Sequence, residues 1–199
     1  MNYADIRTND IANGPGIRTS LFVSGCRLHC RECFNPETWD HSYGNEFDQA
    51  AENRIIESLR PDWVDGLTLL GGDPMEPENQ PAVADLLTRA RTEIDAMNAT
   101  RHDGTPEKTI WLYTGSTYEG LTTGNDPRRG PRTDEILTAI DVLVDGPFKI
   151  ALKDPSLRFR GSSNQRIIDM RATRKTGKPT PWEDEPIFAT HAVPARGWH

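Results

Sequence analysis

An α/β domain with a mainly parallel sheet, shaped as a partial, open (β/α) barrel, is the fold this sequence predicts. Three observations carry that reading. Short apolar runs alternate with longer stretches of helical periodicity through four units, the pattern of strands joined by crossover helices. Four units are too few to close an eight-stranded barrel. Each apolar run also stops at a glycine-bearing turn, and parallel sheets bind their ligands at the carboxyl ends of strands.

The elements follow in order. Residues 8 to 18 are turn-rich, with Asn13-Gly14-Pro15-Gly16 at their centre. Thr19 to Val23 reads as a short buried strand ending at Ser24-Gly25. Phe47 to Leu59 is an amphipathic helix with Ala51, Ile55, Ile56 and Leu59 on one side, and Pro61 lies just beyond it. Gly66 to Leu70 is a second strand, stopped by Gly71-Gly72-Asp73-Pro74. Pro81 to Met97 carries Val83, Leu86, Leu87, Ala90, Ile94 and Met97 at helical spacing. Residues 98 to 107 read as a polar loop, and Thr109 to Tyr113 as the third strand, ending at Thr114-Gly115. Gly120 to Arg132 holds Gly124, Pro127, Gly130 and Pro131 and reads as an irregular insertion. A short helix over Asp134 to Ile140 leads to a fourth strand, Asp141 to Val144, which ends at Asp145-Gly146-Pro147. Short strands are expected near Ile150 and near Ile167-Ile168. Residues 1–170 form the domain, and residues 171–199, basic and then rich in Pro and Glu, read as a weakly ordered tail.

Composition narrows the function. The 199 residues are 35% hydrophobic and 27% charged, enough for one core in water. A net charge of -7 argues against general nucleic-acid binding, which needs a basic face. No run of about 18 apolar residues is present, so no membrane span is expected. The first residues lack the apolar core of a signal peptide. The 3 cysteines, all in one loop, make a poor disulfide framework. They fit a reducing cytoplasm, where thiolates stay available.

Those cysteines are Cys26, Cys30 and Cys33, spaced Cys-x3-Cys-x2-Cys directly after the first strand. Soft thiolates select zinc or iron–sulfur clusters. Three are an incomplete set for either. On a [4Fe-4S] cluster they leave one iron open to a small molecule, with Arg27 and Arg31 placed to offset the charge. Structural zinc needs a fourth ligand, which His29 or His41 could supply; zinc cysteines tend to come as two separated pairs, unlike this compact triple. In the second turn, Gly71 and Gly72 let a ligand approach the backbone, and Asp73 could accept from an ammonium group.

Together, the cysteine triple after one strand and Gly-Gly-Asp-Pro after the next resemble the radical S-adenosylmethionine (radical SAM) superfamily. Asn13-Gly14-Pro15-Gly16-Ile17-Arg18, Leu21 to Cys26, Cys33-Phe34-Asn35, Thr38-Trp39, Leu143 to Gly146 and Asp154 to Gln165 narrow the likeness. They resemble the activating enzymes of anaerobic (class III) ribonucleotide reductases, from about residue 3 to 168. That resemblance implies a radical SAM type of partial barrel. Cys26, Cys30 and Cys33 would hold the cluster, and S-adenosyl-L-methionine would bind the open iron through its amino and carboxylate groups. Reductive cleavage would give a 5′-deoxyadenosyl radical, which takes a hydrogen from a glycine of the reductase. Gly71, Gly72 and Asp73 match the segment that holds the methionyl amine, and Asp145 matches a strand end facing the cofactor. Thr114 and Ser116 are further candidate cofactor contacts. Arg160, Ser162, Ser163, Asn164 and Gln165 are candidates for touching the cofactor or the partner. With no cysteine left for a second cluster, the electron comes from outside, from a flavodoxin or ferredoxin. The same chemistry serves activases of other glycyl radical enzymes, such as the pyruvate formate-lyase type. Many radical enzymes carry an aromatic just before the third cysteine; here that residue is Glu32, and Phe34 follows instead.

Overall fold

The computed structural model describes residues 1–101 and 104–184. Its sheet has eight strands in the order β3-β1-β2-β4-β5-β6-β7-β8. The four central strands are β2 (Arg18–Val23), β4 (Gly66–Gly71), β5 (Thr109–Tyr113) and β6 (Val142–Asp145), and they run parallel. These are the four strands expected from the sequence. Antiparallel strands flank them: β1 (Asn2–Asp10) and β3 (Asn45–Glu46) on one side, β7 (Arg166–Asp169) and β8 (Thr180–Pro181) on the other. The sheet does not close.

Helices α1 (Gln49–Ser58), α2 (Gln80–Ala99) and α4 (Thr133–Ala139) cross between the parallel strands. Their starts follow local chemistry. The Asp48 carboxylate accepts from the Ala51 N–H at 2.8 Å and caps α1, and Pro81 sits in the first turn of α2. Their apolar stripes meet one face of the sheet, where Leu21, Leu67, Leu69, Ile110, Leu112 and Leu143 alternate inward.

Several expectations are corrected. β1 was hidden because it is a polar edge strand: only Ile6 in it is buried, so no period-two apolar pattern shows. The insertion at 120–132 overlaps a short helix, α3 (Tyr118–Thr123), capped by the Thr117 hydroxyl and ended by Gly124 at φ 82. Ile150 lies in a 3-10 turn (Ile150–Leu152) rather than a strand. The strand expected near Ile167-Ile168 is present as β7, antiparallel to β6. The stretch read as a tail from residue 171 begins with α5 (Met170–Thr176) and β8, whose apolar contacts are too few to mark the sequence. Residues 185–199 of that stretch, and residues 102–103, lie outside the described residues.

The other face of the central strands is the one that matters for the site. Alternation places Arg18, Ser20 and Phe22 there from β2, Thr68 and Leu70 from β4, Trp111 and Tyr113 from β5, and Val142 and Val144 from β6. Trp111 packs edge-on against Phe159 (5.5 Å) and Trp182 (5.0 Å), so the loop before β7 and the chain after β8 cover this face.

Arg18 closes the amino end of that face with no exposed surface. Its Nε donates to Thr68 Oγ1 (2.7 Å), and its Nη2 donates to the carbonyls of Leu67 (2.9 Å) and Thr109 (2.8 Å). The guanidinium also lies 5.5 Å from the Trp111 ring. Burial lowers its pKa to about 10, so it is still charged at neutral pH. The Gly14-Pro15-Gly16 turn wraps this side chain. Gly16 has φ +70, and a Cβ there would fall 2.0 Å from the Asp65 carboxylate that accepts from the Ile17 N–H. Replacing Arg18 with Met strips these acceptors of their donor. The variant is expected to lose about 3–5 kcal/mol of unfolding free energy, measured by urea denaturation; a loss below 1 kcal/mol would show that the buried guanidinium is not structurally required.

Candidate functional site

Because β2, β4, β5 and β6 are parallel, the turns that follow them share one rim. They enclose a cavity of about 580 Å³. Cys26, Cys30 and Cys33 line it, with Gly71, Gly72, Asp73, Thr114, Arg160 and Gln165. The expected convergence of the cysteine loop and the strand-end turns is therefore present.

Backbone contacts fix the cysteine loop at its start. Gly25 and Cys26 donate their N–H groups to the carbonyls of Thr38 (2.8 Å) and Trp39 (3.1 Å). The next turn is pressed against it: Gly72 N–H donates to Val23 O at 2.7 Å, and Asp73 N–H to Gly25 O at 2.9 Å. Gly71 has φ +105, and a Cβ there would sit 2.7 Å from Val23 O. The two glycines thus serve strand-to-strand approach as well as any ligand. All three cysteines are free thiols, and Cys26 is buried. Burial, then the Asp73 and Glu76 carboxylates, push the Cys26 thiol up to about 12; burial, then Cys33, raise Cys30. A metal centre taking these sulfurs as thiolates displaces their protons.

Asp73 is almost fully buried, and its carboxylate is already well supplied with donors. Oδ1 accepts from Met75 N–H (2.9 Å), and Oδ2 from the Thr114 hydroxyl (3.0 Å) and Gly115 N–H (3.0 Å). Arg128 Nε lies 3.4 Å from Oδ2. Burial outweighs these partners and raises its pKa to about 6. Asp73 therefore ties the β4 turn to the β5 turn.

The other candidates divide. Thr114 lines the cavity, whereas Ser116 sits behind it, its Oγ accepting from Arg128 Nη1 at 3.2 Å. Asp145 is outside the lining. It is buried, accepts from Tyr118 N–H at 2.8 Å, and pairs with Arg166, whose guanidinium also forks onto Glu119. The Arg160 to Gln165 run folds largely on itself. Gln165 Oε1 accepts from Gly161 N–H (2.9 Å) and Ser162 N–H (3.1 Å), and Ser162 Oγ accepts from Lys149 N–H. Asn164 Nδ2 donates to Pro147 O, and Ser163 is exposed. Arg160 and Gln165 face the cavity; Ser162, Ser163 and Asn164 are not among its lining residues.

Arg27 departs from expectation. It pairs with Glu76 and Glu78, so its charge is already engaged. Arg31 is exposed. His29 stacks on Trp39 with ring centroids 4.6 Å apart, and His41 lies beside Glu76 and Glu78. Neither histidine lines the cavity. Glu32 has φ 59 and meets Lys153 at 3.5 Å; Phe34 and Phe148 are the aromatics at this part of the lining, 6.5 Å apart.

Arg128 and Glu76 were not singled out from the sequence. Both are buried, and Arg128 Nε lies 3.3 Å from Glu76 Oε1 beneath the turn that holds Asp73. Arg128 comes from a Gly- and Pro-rich stretch with no periodic signal. Glu76, three residues after Asp73, was visible only as a second acid in the same turn.

Known proteins share this arrangement of sequence. A family model described as a 4Fe-4S single cluster domain matches residues 12–168. An anaerobic ribonucleoside-triphosphate reductase-activating protein of Vibrio cholerae is 42% identical over 169 residues, covering 84% of this chain and 97% of its own. The protein of that name from Escherichia coli K12 is 39% identical over 173 residues, covering 86% and 100%. Enterobacteria phage T4 has one at 34% identity over 167 residues, covering 84% and 93%. With matches of that length on both sides, this chain belongs to the family of anaerobic ribonucleoside-triphosphate reductase-activating proteins and carries that family's 4Fe-4S single cluster domain.

Proposed function

We propose that this chain is a radical SAM activase of partial-barrel type that generates the glycyl radical on an anaerobic ribonucleoside-triphosphate reductase. One observation carries the reading: three free cysteine thiols line a single cavity at the rim where four parallel strands end. The relatives' names supply the reductase as partner.

Cys26, Cys30 and Cys33 would hold a [4Fe-4S] cluster with one open iron. The donor set fits it. A single zinc at about 2.3 Å from each sulfur draws thiolates to about 3.8 Å of one another. Among the described residues, the one group of three metal-ligating side chains gathered within 4.8 Å is His41, Glu76 and Glu78, and both carboxylates there are paired with Arg27. The wider cysteine triple suits a cluster, and among the described residues no histidine joins it on the cavity wall. When bound, the cluster supplies the electron that splits S-adenosyl-L-methionine into methionine and a 5′-deoxyadenosyl radical.

The chain's own residues would bind and orient. Gly71 and Gly72 present backbone at the rim, where the methionyl amino end would lie, and Thr114 offers its hydroxyl from the next turn. Asp73 acts chiefly by holding those two turns together, since three donors already occupy its oxygens. Ser116 and Asp145 support the turns from behind. Arg160 and Gln165 close the cavity on the side where the partner would enter. The domain takes in residues 1–170 with the elements packed after it. No helix among the described residues is long and apolar enough to cross a membrane, and the free thiols fit a cytoplasmic setting with a flavodoxin or ferredoxin as electron donor.

Anaerobic reconstitution should give about four irons per chain, and Cys30→Ala should lose the cluster absorbance together with cofactor cleavage. A spin-resonance signal on a co-purified reductase then tests the reaction. Full zinc occupancy in an active sample, or normal cleavage by the variant, would sink the reading.

Asp73 yields a separate test. An unfolded aspartate titrates near about 3.9, whereas burial in the folded chain raises Asp73 to about 6. Folding thus favours its protonated form. The stabilisation is present below about pH 4 and is lost as pH rises through about 6, a change of about 3 kcal/mol. Asp73→Asn removes this titration, so its unfolding free energy should vary less than the parent's between pH 4 and 7. Parallel pH profiles from urea unfolding would contradict the assignment.

A further inference from the structure

A second recess lies at the opposite end of the sheet, where β5 and β6 begin. It holds about 490 Å³ and shares no residue with the cysteine cavity. Arg91 and Asp95 reach it from α2, Asp141 from the residue before β6, and Arg171, Arg174 and Lys175 from α5. Among the described residues, four cations and two carboxylates therefore line it, in a chain whose net charge is -7.

One buried acid arranges the cations. Asp141 Oδ2 accepts from Arg91 Nη2 (2.5 Å) and Ile110 N–H (2.7 Å), and Oδ1 accepts from Arg171 Nε (2.6 Å). Asp95 is held by Arg91 at 3.1 Å, and Glu107, from outside the recess, is held by Arg171. Arg174 Nη1 donates to the carbonyls of Leu137 (3.2 Å) and Ile140 (3.1 Å), which orient its guanidinium without neutralising it. Both acids of the recess are thus engaged by Arg91 and Arg171. Among the described residues, Arg171 Nη2, Arg174 Nε and Nη2, and Lys175 Nζ have no acceptor. All three of those residues are exposed, so a ligand can reach them. Partial burial, then the charges of Arg91 and Arg171, hold the Arg174 guanidinium below its usual range against the pull of Asp141. An anion bound beside it would relieve that like-charge conflict.

We propose that this recess binds a small polyphosphate, two or more linked phosphate groups either free or carried by a nucleotide, with Arg171, Arg174 and Lys175 donating to its oxygens. The site is separate from the cysteine cavity and does not depend on the activase reading. Chemistry favours a phosphate over a carboxylate. A carboxylate offers two oxygens in one plane, whereas the unengaged donors come from three residues, two of them guanidiniums whose forked donors match phosphate oxygens. The volume is that of a small-molecule pocket, more than a single phosphate fills.

The test is calorimetry on the full chain with pyrophosphate, at an ionic strength held near about 0.15 M. One pyrophosphate should bind per chain with a Kd below about 1 mM. Lys175→Gln and Arg174→Gln should each weaken binding about tenfold, the loss of a charge-assisted hydrogen bond. Lys175 has no partner to lose, so the thermal midpoint of ligand-free Lys175→Gln should match the parent's. Saturating S-adenosyl-L-methionine should leave pyrophosphate affinity unchanged. Tighter binding of ATP than of pyrophosphate or tripolyphosphate would support the proposal with a nucleotide as the source; the reverse order would support it with a free polyphosphate. Absence of saturable binding would overturn it, as would an affinity that neither substitution alters. Displacement by S-adenosyl-L-methionine, or hexaglutamate binding as tightly as pyrophosphate, would also overturn it.

Discussion

The rim of this sheet depends on one buried carboxylate. Asp73 takes hydrogen bonds from its own turn through Met75 and from the β5 turn through Thr114 and Gly115. Its N–H in turn bonds Gly25 O, the residue before the first cysteine. Three strand ends are thereby fixed relative to one another by a single residue. The burial is costly, as the raised pKa records, and Arg128 offsets part of it from a loop that otherwise has no regular structure. Remove the carboxylate and both the cysteine loop and the Thr114 turn lose their common anchor.

Below the rim a different chemistry holds. Among the described residues, Arg18 has no carboxylate within hydrogen-bonding distance; carbonyls, hydroxyls and the Trp111 ring surround it. A guanidinium can be buried this way because its donors fan out in a plane and each finds an acceptor. It therefore closes the cavity face through neutral acceptors rather than an ion pair. The two ends of the face are thus separately built, with a shared anion at the rim and a shared cation at the base, and the cavity lies between them.

What the sequence made legible follows from how each feature is encoded. The four parallel strands are buried on both faces along most of their length, and show as short runs between glycine turns. The cysteines and the Gly71-Gly72 turn are legible because backbone geometry and metal chemistry admit few residue types there. β1 and α5 were hidden, since each buries too little to impose a period. Asp145 was less legible for a subtler reason. A strand-ending Asp-Gly marks a rim position, but the side chain's direction depends on Arg166, which comes from a strand paired only in three dimensions.

The fate of Arg27 bears on the Arg160 to Gln165 run. From spacing alone, Arg27 is the natural cation to balance a thiolate-bound cluster. In the fold, Glu76 and Glu78 take it up, and it serves instead to pin the cysteine loop to the turn before α2. Among the described residues, the cations that do line the cavity are Lys153 and Arg160. Both belong to the loop after β6. Lys153 is set by the backbone bridge to Ser162 and Arg160 by its bond to Gln165 O. So the side chains that turn back into their own loop, Ser162, Asn164 and Gln165, need not touch a ligand to matter. They fix where two positive charges stand on the wall opposite the strand-end turns, and a Gln165 unable to bond Gly161 and Ser162 would release both.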